Sequence, residues 1–192
     1  MTALIQRILE PRPGTASRLA GLFLWQLDDQ SRRLTEDTRD ATPEELAWQA
    51  APGLNTIGML LAHIAATEVG WVQRGILLRD WDVGQVLGLG SNEIRIPLPA
   101  DGRPPSALMG RDLPYFDGLL ARARSHTRSA IALLTDADLD RRFRVPAFWQ
   151  PDAEFEATVG WVLYHILEHL AGHYGQINLL RHQYRTRAPG RS

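Results

Sequence analysis

Apolar positions recur at three-to-four spacing in four long stretches of this chain, and each stretch reads as an amphipathic helix. The first runs from about Thr15 to about Thr35, with Leu19, Leu22, Phe23, Gln26 and Leu27 on its inner stripe and Asp28, Asp29, Arg32 and Arg33 outside. Thr42 followed by Pro43 and Glu45 predicts a capped short helix with proline in its first turn, ended by Pro52-Gly53. Asn55 is the expected cap of the second long helix, reaching about Leu78 with Ile57, Leu60, Leu61, Ile64, Ala65 and Val72 turned inward. The third covers about Pro114 to Leu134, and the last about Ala157 to Tyr184.

Between them the periodicity fails twice. From Asp80 to Leu113, glycine and proline crowd in, which predicts a long irregular loop between the second and third long helices, and loops of that length are commonly lids or rims. From Arg141 to Ala153, Phe143, Val145, Phe148 and Trp149 alternate with polar residues, as in a short strand or a loop packing its aromatics. The expectation is an all-α, four-helix-bundle fold in a single domain over 1–192, with 185–192 a disordered tail.

Composition narrows the chemistry. All 21 basic residues are arginine, so a Schiff-base lysine or a phosphate-loop lysine is excluded. There are 0 cysteines, which excludes disulfides, thiolate ligands and cysteine nucleophiles; thiol chemistry would need a thiol brought by a substrate. A formal net charge of -1 gives no reason to expect nucleic acid or an anionic membrane as partner. The first ten residues lack a signal-peptide pattern and no stretch is apolar enough to span a bilayer, so a cytoplasmic location is expected.

The candidate chemistry lies in the last helix, in His165-Ile-Leu-Glu-His169-Leu-Ala-Gly-His173-Tyr-Gly-Gln176. At about 100° per residue, His169, His173 and Gln176 fall within about 80° of His165, on one stripe. His169 and His173, one turn apart, can reach a single metal ion. The same pair could instead be partly buried histidines bonded to polar neighbours; the further polar residues in the stripe, and the cost of burying unpaired imidazoles, favour metal. Gly172 and Gly175 each cost about 1 kcal/mol in a helix, which suggests a close approach there. His63, on the second long helix, offers the third nitrogen that an open, catalytic-type site requires. His165 and Gln176 are candidates for supporting or substrate-binding roles. Glu68, Gln73, His126 and His182 read as surface residues, and Tyr164, Tyr174 and Trp71 as core or pocket wall.

The segments 55–64 and 161–177 together resemble the DinB/YfiT-like superfamily. The resemblance spans the first two long helices and the last, and does not reach the 80–113 loop. It implies a four-helix bundle holding a metal on three histidines, one from the second helix and two from the last, which fall here on His63, His169 and His173. It also implies kinship with transferases and isomerases that use mycothiol or bacillithiol, some of which carry a glutamate at the position of His169.

Imidazole suits several divalent metals; zinc or nickel is expected ahead of iron or manganese. The leading functional expectation is a low-molecular-weight-thiol-dependent S-transferase acting on a small molecule, with Arg95, Arg103 or Arg111 of the long loop as carboxylate binders. The alternatives are a hydrolase using metal-bound hydroxide, a non-catalytic metal-binding stress protein, and a metal-free helical dimer whose histidines only pack. The six tryptophans and the apolar residues of the first helix make a homodimer an expectation too.

Overall fold

A computed structural model describes residues 4, 6, 8–90, 92–147, 150 and 152–187. The chain is mostly helical, and four long helices carry it: α1 (Arg18–Thr38), α3 (Ile57–Trp71), α5 (Leu113–Ile131) and α6 (Val159–Thr186). Two short helices, α2 (Pro43–Ala47) and α4 (Gly84–Leu87), lie between them, and a hairpin of β1 (Arg142–Pro146) and β2 (Glu154–Thr158) precedes α6. Helix α3 packs against α5 and α6, and α1 against α6 and α5. Among the described residues, no helix is long and apolar enough to cross a membrane.

Side-chain caps explain most of the helix starts. Orphan N–H groups of a first turn are satisfied by a preceding hydroxyl or carboxylate. Thr42 accepts from the Glu45 N–H at 3.2 Å, as its sequence predicts. The cap of α3 is Thr56, which accepts from the Met59 N–H at 3.2 Å, rather than the expected Asn55. Asn55 stands one residue outside, its Oδ1 buried without a partner among the described residues. Ser17, Asp112 and Thr158 cap α1, α5 and α6 in the same way.

Helix α3 is the central rod: every residue from Ile57 to Trp71 except His63 is buried. It continues directly into a π turn, Val72–Ile76. Around it, Leu60, Leu61, Ile64, Leu119 and Phe116 form one part of the core, while Leu24, Leu27, Val162, Leu163 and Ile166 join the hairpin's Phe143 in another.

The structure departs from the expectations in several places. The buried stripe of α1 is Ala20, Leu24, Leu27 and Leu34, and Leu19 is exposed. Asp28, expected outside, turns toward α5 and pairs with Arg124 at 3.0 Å and Arg128 at 2.7 Å. Glu68 is buried rather than on the surface, and Arg124 Nε donates to it at 2.8 Å. Gln73 is buried as well, clamping the Asp82 backbone with its amide donating at 2.8 Å and its carbonyl accepting at 3.0 Å. In both cases the polar end reaches a partner brought in by a different element, which offsets part of the cost of burying it.

The 80–113 segment is no free loop. Val83, Leu87, Leu89, Ile94 and Leu108 insert into the core beside α3 and α5, making it a packed strap. Within the 141–153 segment Arg142–Pro146 is a strand, β1, and its antiparallel partner β2 lies just beyond the segment, with Phe143 opposite Ala157 and Val145 opposite Phe155. Phe148 and Trp149 lie outside the described residues. Helix α6 takes in Arg185 and Thr186, part of the expected disordered tail; 188–192 lie outside the described residues.

Candidate metal centre

Three imidazoles meet between α3 and α6. The rings of His63 and His169 are 4.9 Å apart, those of His63 and His173 5.2 Å, and those of His169 and His173 4.3 Å. The Nε2 atom of His169 lies 3.1 Å from that of His63 and 3.1 Å from that of His173. Nitrogens bound to one ion at 2.0–2.1 Å, with angles of about 90–110°, sit about 2.9–3.4 Å apart. Two sides of the triangle fall in that range, and the three ligand nitrogens all lie within 4.8 Å of one another, close enough to hold one ion.

Neighbours orient two of the rings. The Nδ1 of His63 donates to the Ile94 carbonyl at 3.0 Å, and the Nδ1 of His173 faces the Gln176 Oε1 at 2.8 Å. A carbonyl oxygen only accepts, so each Nδ1 carries the proton and each Nε2 presents a lone pair toward His169. A single Nε2–H on His169 could serve one of them. A shared cation would satisfy all three, and the donor set fits one. Outer contacts of this kind, a ring N–H on a carbonyl, commonly position metal-binding histidines.

Electrostatics favour the neutral rings that coordination needs. Burial pushes the His63 pKa down to about 4; the Ile94 carbonyl opposes the shift and the neighbouring His173 adds to it. His169 is pushed further, to about 2, first by burial and then by His173, His63 and His165. Among the described residues, this is the one group of three or more histidines or carboxylates close enough to hold an ion.

Not every residue of the predicted stripe joins the triangle. His165, a turn earlier on α6, stacks on Trp161 at 4.6 Å and edges onto Trp71 at 5.2 Å. Its Nδ1 bonds Glu168 at 2.8 Å. Gln176 stays beside the cluster through His173. His182 is exposed, whereas His126 is half-buried with its Nε2 unpartnered among the described residues, against the expected solvated face. Tyr174 bonds Asp37 through its hydroxyl, and Tyr164 is exposed beside Glu168 rather than in the core.

A cleft of about 340 Å³ opens along α3 from His63. Thr67, whose hydroxyl is 3.4 Å from His63 Nε2, lines it too, with Trp81, Ile94 and Ile96. Arg74 and Arg95 also line it; Arg103 and Arg111 do not, and Arg111 lies over Tyr115 instead. Sequence reasoning missed Thr67 and Arg74, although both share a helical face with His63 at spacings of four and eleven residues. The Ile94 carbonyl, a backbone atom from a distant strap, leaves no such signal.

A mostly helical protein with three histidines positioned to hold a metal ion is thus the class that the fold and site define. Residues 26–177 match the family model of the DinB superfamily, and the chain belongs to that superfamily. Its fold is similar to that of a conserved protein from Enterococcus faecalis, with a TM-score of 0.61 at 18% identity, covering 86% of this chain and 96% of that one. A DinB-like protein from Bacillus cereus aligns with a TM-score of 0.48 at 19% identity, covering 89% of this chain and 96% of that one. No curated protein matches the chain.

Proposed function

We propose that this protein is a metal-dependent enzyme of the DinB four-helix-bundle type, with His63, His169 and His173 as the ligands of a divalent metal. The reaction we assign is transfer to or from a low-molecular-weight thiol. One observation carries the reading: three histidine nitrogens close enough to hold one ion, beside a cleft that His63 lines and that is large enough for a small molecule. When bound among three neutral imidazoles, a divalent ion keeps its double charge and lowers the pKa of a thiol or of water.

The chain's own residues support that chemistry. Ile94 and Gln176 hold two rings so that their bare nitrogens converge. Trp81, Ile94 and Ile96 give the cleft an apolar lining beside His63. With no cysteine in the sequence, the sulfur nucleophile would come from the thiol substrate.

Elemental analysis of protein purified without a histidine tag, beside His169→Ala, tests the metal. We expect about one ion per chain in the wild type and a substoichiometric content in the variant. Turnover of an electrophile with bacillithiol or mycothiol then tests the reaction. A metal-dependent rate on esters or amides without any thiol would replace the transferase with a hydrolase.

A further inference from the structure

The cleft beside His63 is lined by two arginines and, among the described residues, by no carboxylate. Some guanidinium groups of this fold are committed to acids, as in Arg124, Arg128, Arg181 and Arg185. Arg74 and Arg95 form no ion pair among the described residues. Arg74 spends one donor on the Pro146 carbonyl at 3.0 Å, which steadies the side chain and leaves the rest of its planar fork uncommitted. It sits in the π turn Val72–Ile76, a local geometry that recurs at functional sites. Arg95 follows Ile94, whose carbonyl holds His63, so the strap that orients the histidine also carries the cation.

Besides His63, Thr67 and the two arginines, the cleft is lined by apolar side chains. Ala66, Trp81, Ile94 and Ile96 form its floor and walls. Trp81 lies flat against α3 because residue 70 is glycine: a Cβ there would come within 2.2 Å of the indole. Arg74 is eleven residues beyond His63 on one helical face, about 16 Å along the axis at 1.5 Å per residue. A ligand touching both ends is therefore extended.

We propose that the cleft takes a small organic anion with an elongated apolar body, its acid group held by Arg74 and Arg95 and its other end presented to His63. This deepens the function proposed above by naming the substrate class, and it rests on that reading only for which end reacts. A carboxylate and a phosphate monoester share the required chemistry, since both match the planar guanidinium fork.

The test is calorimetric titration of the EDTA-treated full chain with phenylbutyrate, phenyl phosphate and the neutral phenylbutanamide. The better-binding anion is expected to exceed the amide by about tenfold, the scale of a charge-assisted bond. Arg95→Gln and Arg74→Gln should each reduce that preference, and the double variant should abolish it. Arg111→Gln, outside the cleft, should leave it intact. Because Arg74 also holds Pro146, the exposed Arg95 serves as the variant whose fold is not at stake. The relative strength of the two anions identifies the acid group. Equal binding of amide and anions, a preference that survives in the double variant, or no binding of any probe overturns the proposal. Metal content of the same preparations, measured before the EDTA treatment, separates the two readings. An arginine-dependent preference without metal uptake sinks the enzyme and spares the cleft, and metal uptake without the preference does the reverse.

Discussion

Acidifying the metal-free protein should destabilise it through the two buried imidazoles. The pKa of His63 falls from 6.5 to about 4 and that of His169 from 6.5 to about 2, so both stay neutral in the fold where the unfolded chain takes up protons. The sign follows: the unfolded state binds more protons below pH 6.5, stability drops as pH falls from there, and the loss from His63 is complete near its folded value. One pH unit below 6.5, each ring costs about 1.4 kcal/mol, about 3 kcal/mol for the two. For a domain of this size that lowers Tm by about 6–12 °C. Differential scanning calorimetry in EDTA, near pH 7.5 and pH 5.5, reads the effect. Carboxylates titrate too, so the comparison is with His63→Gln/His169→Gln, which keeps them and removes the rings. The wild type should lose more Tm than this variant across the interval. An equal loss in both would refute the idea that these histidines are held neutral by burial.

Other substitutions probe the surroundings of the site. Gln176→Ala removes the acceptor on His173 Nδ1 and should weaken metal affinity by about 10–100-fold in competition with a chromogenic chelator, and unchanged affinity would deny Gln176 that role. Gly70→Ala drives a Cβ into the Trp81 ring; we expect a loss of about 1–3 kcal/mol in urea unfolding and a shifted tryptophan emission. Glu68→Ala strips the buried partner of Arg124, leaving Asp28 alone to balance it. That should cost about 3 kcal/mol, toward the low end for breaking a buried pair, and a loss under about 1 kcal/mol would mean that Asp28 suffices.

Much of this architecture is local and was legible in the chain. Helix periodicity, the Thr42-Pro43 start and the one-turn spacing of His169 and His173 depend on backbone geometry that a few neighbouring residues set. The absence of cysteine and lysine limits the chemistry without any coordinates. A helical wheel, however, says only which residues share a face, not what each meets along its length. His165 shares the stripe of His169, yet one turn separates a histidine triangle from the indoles of Trp161 and Trp71. Burial of the charged and polar side chains was equally beyond local reasoning. Asp28, Glu68 and Gln73 look like surface residues until Arg124 arrives from α5 and the Asp82 backbone from the strap.

Sequence by itself therefore determined the rods, the Thr42 cap and the one-turn pair His169 and His173, with His63 added through the family resemblance. Tertiary structure decided which faces met, that the 80–113 segment packs as a strap rather than a free rim, and that its Ile94 carbonyl aims His63 at the other two rings. The reason is the range of the forces involved. Capping and periodicity act within a turn or two of chain, whereas ion pairing and ring orientation require partners that only packing brings within about 3 Å.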